Sequence, residues 1–196
     1  MNWNDMLFES IKNSNLEQIK QCLANGADVN VRDSYGVYGS TTLMLALQGD
    51  NFEIIKYLVE CGADVLAERE DYHFGNKQSI LDMAKNKSSE IKQYLEIKVQ
   101  EAKLVDCASL GDANGVSEYL ANGINPNATH KDITALMLAC KNCHYEVALA
   151  LITAGADINA KDIKDKSVSQ YAAEGGNTKI MELLFAQGAN IGVRGE

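Results

Sequence analysis

Residues 151–159, Leu151-Ile152-Thr153-Ala154-Gly155-Ala156-Asp157-Ile158-Asn159, decide the fold, because the same order of residues returns along the chain. Gly-Ala-Asp-Val-Asn stands at 26–30, Gly-Ala-Asp-Val at 62–65, Gly-Ile-Asn-Pro-Asn at 123–127 and Gly-Ala-Asn-Ile at 188–191. Each glycine follows an amphipathic helical stretch that ends in an apolar pair: Cys22-Leu23, Leu58-Val59, Tyr119-Leu120, Leu151-Ile152 or Leu184-Phe185. A glycine directly after a helix supplies the left-handed cap that other residues adopt only at a cost. The neighbouring Asp and Asn side chains hydrogen-bond locally and hold the bend. Gly26, Gly62, Gly123, Gly155 and Gly188 are therefore structural turns.

A second set of helices opens with Thr or Ser. Thr41-Thr42-Leu43-Met44-Leu45-Ala46 and Thr134-Ala135-Leu136-Met137-Leu138-Ala139 are the clear cases. Ser79-Ile80-Leu81-Asp82-Met83-Ala84 is close, and Ser167-Val168-Ser169-Gln170-Tyr171-Ala172 is weaker. The hydroxyl caps the helix and leaves Leu43, Ala46, Leu136 and Ala139 to pack inward.

The turn glycines are 36, 61, 32 and 33 residues apart, and the 61 hides a unit that has lost its glycine. The chain thus holds six units, at about 4–30, 36–65, 76–98, 101–127, 131–159 and 164–191. The third keeps helices near Ser79–Lys85 and Ser89–Lys98, with Tyr94-Leu95 as its apolar pair, but no turn after them. The fourth begins like a first unit: Leu104, Val105, Ala108, Gly111 and Asp112 align with Leu7, Phe8, Ile11, Ser14 and Asn15. The expectation is a single domain over 1–196, an irregular junction near 98–101, and two three-unit halves sharing their packing. A helix pair this small cannot bury its own apolar stripe, so neighbours must stack.

The recurring turn, helix and Thr-x-Leu-x-x-Ala opening resemble the ankyrin repeat over residues 4–193, essentially the whole chain. The resemblance implies an all-α solenoid of stacked antiparallel helix pairs with projecting hairpin-like fingers. It also implies a concave face, made by fingers and first helices, that binds a protein or peptide.

Departures from the repeat are where function is sought. Gly155 to Ser167 spans 12 residues, whereas Gly26 to Thr41 spans 15 and Gly62 to Ser79 spans 17. The surplus enlarges two successive fingers, Asp33-Ser34-Tyr35-Gly36-Val37-Tyr38-Gly39 and Glu68-Arg69-Glu70-Asp71-Tyr72-His73-Phe74-Gly75. Repeat proteins carry insertions on loops, often on the binding face, and aromatic side chains anchor partners well. The candidate contact residues are Tyr35, Tyr38, Glu68, Glu70, Asp71, Tyr72, His73 and Phe74. Two readings stand: these aromatics meet a partner, or Tyr35, Tyr38, Tyr72 and Phe74 pack on one another to steady longer loops. Glu60, Asp64, Glu68, Glu70 and Asp71 against Arg69 make the second finger acidic, which suits basic groups on a partner and equally suits plain solvation.

Composition narrows the classes. The 196 residues carry a formal net charge of -9 and no Lys/Arg run of five, which argues against a duplex nucleic-acid binder. No segment approaches a membrane span, and the start shows no secretory signal. Five scattered cysteines, Cys22, Cys61, Cys107, Cys140 and Cys143, suit reduced thiols in a cytoplasmic protein. Cys140-x-x-Cys143-His144 lacks the second ligand pair of a structural zinc site. In the repeat pattern Cys140 fills a small core position, Cys143 the usual glycine and His144 a polar loop position. No metal or cofactor is expected, and no catalytic constellation is present: His73, His130 and His144 lie in different units without an orienting group.

The first unit reads as a polar cap, whereas the last leaves its outer face capped by little or continues into a longer protein. Polar residues from Asn4 to Lys20 interleave with Met6, Ile11, Leu16 and Ile19, whereas Ile180, Met181, Leu183, Leu184 and Phe185 form an apolar last helix. The chain is expected to be complete, which makes Met181 and Phe185 contact candidates. The function expected is that of a non-enzymatic, monomeric protein-binding module. A scaffold or self-assembly role, and an enzyme or ligand site at the fingers, are its alternatives. Relatives in the resembled family include bacterial effectors, so the resemblance admits an effector role on host proteins.

Overall fold

The computed structural model describes residues 2–33, 39–70 and 77–190. It divides into two compact units, Met1–Val99 and Gln100–Glu196. In the first, helix pairs α1 (Trp3–Lys12) with α2 (Leu16–Ala24) and α3 (Thr42–Ala46) with α4 (Phe52–Glu60) precede the hairpin β1 (Glu68–Glu70) and β2 (Lys77–Ser79). Helix α5 (Ile80–Ala84) then leads to α6 (Ser89–Leu110). The second unit continues with α7 (Ala113–Ala121), the hairpin β3 (Thr129–His130) and β4 (Ile133–Thr134), and the pairs α8 (Ala135–Lys141) with α9 (Tyr145–Thr153) and α10 (Val168–Gly175) with α11 (Thr178–Ala186). Within each unit the helices are stacked pairs, α1 on α3 in the first, and α8 on α10 with α7, α9 and α11 in series in the second. The all-α solenoid expected from the repeats is the observed architecture.

Local chemistry starts and stops these helices as the sequence requires. Thr41 and Thr134 accept from the backbone N–H groups of Met44 and Met137. Ser79 and Ser167 form full capping boxes with Asp82 and Gln170, each side chain returning a bond to the cap backbone. Asn15, Asn51, Asp112 and Asn177 cap the second helices. After Cys22 the chain turns through Gly26 at φ 90°, with Gly26 N–H donating to Leu23 and Ala27 N–H to Cys22. The same two bonds close the turns at Gly62, Gly123, Gly155 and Gly188, all at positive φ. This is the Schellman termination, in which the residue after glycine also packs on the helix. Ala27, Ala63, Ile124, Ala156 and Ala189 are accordingly buried.

The aligned starts of the first and fourth units are the same structure. Leu7, Phe8 and Ile11 are buried, as are Leu104, Val105 and Ala108. Ser14 and Gly111 take positive φ, and Asn15 and Asp112 cap α2 and α7. The irregular junction near 98–101 is where the backbone differs from expectation. A single 22-residue helix, α6, runs through it without a break. From Gln93 to Val105 there is no Gly, Pro, Asn, Asp, Ser or Thr. The residues that replaced the lost turn are good helix formers, so the second helix of one unit extends into the first helix of the next.

The acidic and amide residues around the turns do more than hold their own bends. Asn30 Nδ2 donates to Gly62 O at 3.0 Å, and Asn30 Oδ1 accepts from Asp64 N–H at 2.7 Å. Asn127 makes the same pair with Gly155 and Asp157, and Asn159 accepts from Asn190 N–H. Asn4 begins the series by accepting from Asp28 N–H. Each turn thus hooks the next. The position equivalent to Asn30 in the second unit is Leu66, which precedes the unit without a turn: the hook is gone where its target is gone. Asn30→Ala should lower stability by about 1–2 kcal/mol, because it strands one donor and one acceptor in a part-buried site. Leu66→Asn should give no gain. Urea denaturation followed by circular dichroism checks both.

Candidate functional site

The fingers are built on short antiparallel ladders. At the base of the first, Arg32 pairs with Thr41, and Asp33 N–H donates to Ser40 O at 3.0 Å. In the second, Glu68, Arg69 and Glu70 lie opposite Ser79, Gln78 and Lys77. Arg32 joins the two fingers: its guanidinium donates to Gly39 O at 2.8 Å and, through both terminal nitrogens, to Glu68 O at 3.2 Å. Arg69 donates from Nε to Gln78 Oε1 at 2.8 Å across the ladder. Glu68 carries an exposed carboxylate 3.4 Å from Lys77 Nζ.

The second unit has shorter fingers. β3 and β4 are joined by Lys131 and Asp132, both at positive φ, the two-residue turn that matches the twist of a hairpin. The finger at 161–167 closes on a Lys161–Ser167 bridge and presents Ile163 77% exposed. Asp162 organises it. Its carboxylate accepts from Lys164 N–H, Lys166 N–H and the Tyr171 hydroxyl at 2.8, 2.9 and 2.8 Å. Lys166 lies 3.9 Å above the Tyr171 ring and 2.6 Å from Glu174. The Lys166 N–H bond first, then the Tyr171 hydroxyl, hold Asp162 below the usual carboxylate range. Burial first, then Asp162, push the Tyr171 phenol up to about 12. A carboxyl lowered in the folded state adds stability above its unfolded pKa, and that contribution is lost as pH falls through the folded value. Asp162→Asn should therefore be less stable than the parent at pH 7, with the gap closing below pH about 4. Thermal melts across that range check it.

Known sequences carry the same repeat. The family profile described as "Ankyrin repeats (3 copies)" matches residues 7–102 and 104–194. The chain belongs to the ankyrin repeat family. It is 31% identical over 180 residues to the ankyrin repeat and KH domain-containing protein mask-1 of Caenorhabditis elegans, covering 88% of this chain. An ankyrin repeat protein of fowlpox virus is 31% identical over 52% of the chain, and one of Acanthamoeba polyphaga mimivirus 25% identical over 97%. The chain spans 6%, 15% and 25% of the length of these three relatives. Ankyrin repeat architecture generally mediates protein–protein interaction.

On this ankyrin frame the expected contact residues are only partly placed. Tyr35 and Tyr38, and Asp71, Tyr72, His73 and Phe74, lie outside the described residues. Glu68 and Glu70 stand on β1 at the base of the second finger. The acidic neighbours each meet a donor or cation: Glu60 faces Lys56 at 4.0 Å, Asp64 accepts from Leu66 N–H at 2.9 Å, and Glu68 faces Lys77. Arg32, which ties finger to finger, escaped the sequence reading. A signal was there: Arg32 stands six residues after Gly26, as Lys161 and Arg194 stand six after Gly155 and Gly188, so a basic residue recurs at the root of the finger.

The Cys140-x-x-Cys143-His144 segment sits as the repeat pattern implies. Cys140 is fully buried in α8 and burial pushes its thiol up to about 12. Cys143 takes φ 64° in the position of the repeat's glycine, and its thiol meets Gly175 O at 3.0 Å. His144 Nε2 lies 3.0 Å from Ser109 O, where Asn142 Nδ2 also donates at 2.8 Å. These contacts tie neighbouring repeats. Among the described residues no group of three His, Cys, Asp or Glu could hold a metal, and no helix is long and apolar enough to cross a membrane. Native-state titration with an aromatic disulfide reagent should modify exposed Cys143 and spare Cys22 and Cys140 until unfolding.

Proposed function

We propose that this ankyrin repeat protein is a non-enzymatic, monomeric interaction module that binds a protein or peptide through its first helices and the enlarged fingers 33–39 and 68–75. The observation that carries this is the Arg32 guanidinium: it joins the bases of the two extended fingers at Gly39 O and Glu68 O, so two loops longer than the others start from adjoining roots. Insertions on adjacent fingers of a rigid stack make a surface specific to this chain, and Tyr35, Tyr38, Tyr72 and Phe74 are the aromatic anchors it offers. The partner meets it in the cytoplasm, of a host cell if the protein acts as an effector.

The test replaces Tyr35, Tyr38, Tyr72 and Phe74 together by Ala and measures binding to proteins that co-purify with the parent. Loss of binding with unchanged circular dichroism supports the finger site. Undiminished binding by the folded variant overturns it. A mass in solution above that of one chain would favour self-assembly instead.

A further inference from the structure

Two of the five thiols stand in one turn. Cys140 lies in the last turn of α8, and the N–H of Cys143, three residues on, donates to Cys140 O at 3.3 Å. A chain closed from residue i to i+3 sets those two Cα atoms about 6 Å apart. Disulfides bridge Cα atoms about 4.4–6.8 Å apart, so this turn is short enough to be bridged. Both thiols are free: Cys143 is exposed and Cys140 is fully buried. Burial first, then the neighbouring Cys143, push the Cys140 thiol up, so Cys140 is inert until it leaves the core.

The end of α10 lies over both residues. Gly175, its last residue, accepts the Cys143 thiol on its carbonyl at 3.0 Å. The same glycine sits so close to Cys140 O and Lys141 O that a Cβ would have 2.6 Å. Helix α10 stacks on α8, and α11 on α9. The two thiols thus occupy the joint between the last two helix pairs.

We infer that Cys140 and Cys143 form a thiol–disulfide switch, closed by a low-molecular-weight disulfide of the glutathione kind, whose closure releases α10 from the turn. The Cys143 thiolate attacks one sulfur of glutathione disulfide, and one glutathione leaves. The Cys140 thiolate then attacks the Cys143 sulfur of that mixed disulfide, and the second glutathione leaves. The proton of each protein thiol passes to a departing glutathione. Two protein thiols are together oxidised by two electrons, and one glutathione disulfide is reduced to two thiols. The first step needs only an exposed thiol. The second is slow, because Cys140 reaches the surface only when α10 lifts. Once the bond is made, Cys143 Sγ no longer donates to Gly175 O and Cys140 no longer fills its place in the core. Helices α10 and α11 then loosen. The switch goes beyond the interaction-module reading and holds without it.

The full chain is equilibrated in mixtures of reduced and oxidised glutathione, quenched with acid, alkylated and digested with trypsin. Cleavage after Lys141 separates the two cysteines, so peptides 132–141 and 142–161 stay joined only through the new bond. Joined peptides are expected, and dithiothreitol should release them. In the closed protein the amides of α10 and α11 should exchange with deuterium about tenfold faster or more, and those of α7 should not change. Cys140→Ala should stop at the glutathione adduct on Cys143. Bond and contact are linked, so Gly175→Ala, which weakens the contact, should raise the ratio of joined to free peptides about tenfold in the same mixture. Gly49→Ala should leave that ratio unchanged. An adduct on Cys143 without joined peptides, a bond to Cys107 instead, closure that leaves α10 exchange unaltered, or equal ratios in the parent and Gly175→Ala each overturn the switch.

Discussion

Leu136→Ala is expected to destabilise the second unit by about 2–5 kcal/mol, a large loss for one substitution. Leu136 follows the Thr134 cap by two residues in α8 and is 1% exposed. It belongs to one buried cluster with Val105, Val147, Leu151, Val168 and Tyr171, drawn from every helix pair of that unit. Truncation removes apolar burial and leaves a cavity that neighbours on three sides cannot all fill. In a stack, a central unit supports both of its neighbours, so the lost contact is felt across the whole unit. Thermal denaturation should show a clearly lower midpoint. A change within about 0.5 kcal/mol would mean that the repeats are not coupled through this position.

Gly175→Ala should cost about 1–3 kcal/mol, although alanine is the better helix residue. Gly175 is the last residue of α10 and has ordinary helical φ, so conformational freedom is not its role. A Cβ there would fall 2.6 Å from the carbonyl oxygens of both Cys140 and Lys141. Those atoms are backbone at the end of α8 and cannot swing aside. The same approach brings Cys143 Sγ to Gly175 O at 3.0 Å, so the substitution also disturbs that contact. Gly49→Ala is the matched control. Its Cβ would lie 3.5 Å from Ala46 O, an ordinary contact, and its φ is not positive. That change should be neutral or stabilising by up to about 1 kcal/mol. If both variants melt alike, close approach is not what fixes glycine at 175.

Much of this was legible in the sequence. The turn glycines, the Thr and Ser caps and the buried columns each depend on a few adjacent residues, and local chemistry of that kind repeats visibly. Even the place of Cys143 was readable, since it stands where the first, fourth and sixth units carry Ser14, Gly111 and Gly176, all at positive φ, and its own φ of 64° completes the same turn. Continuity of α6 was readable too, from thirteen residues without a helix breaker between Gln93 and Val105. Imposing the repeat register on that stretch hid it.

The candidate site was less accessible. The extra lengths at 33–39 and 68–75 marked the fingers, but length says nothing about what holds them. The Arg32 contact with Glu68 O spans 36 residues and involves a backbone carbonyl, which has no side-chain signature.

The sequence by itself determined that this chain is built of ankyrin repeats, because each turn and cap is a short-range interaction between neighbouring residues and recurs with the repeat. Only the tertiary structure decided the connections between repeats: Asn30 hooking Gly62 and Asp64, Asn127 hooking Gly155 and Asp157, and Gly175 against Cys140. Those depend on which backbone groups face one another once the units are stacked. No residue announces that pairing alone, since nearly every residue carries the same N–H and C=O.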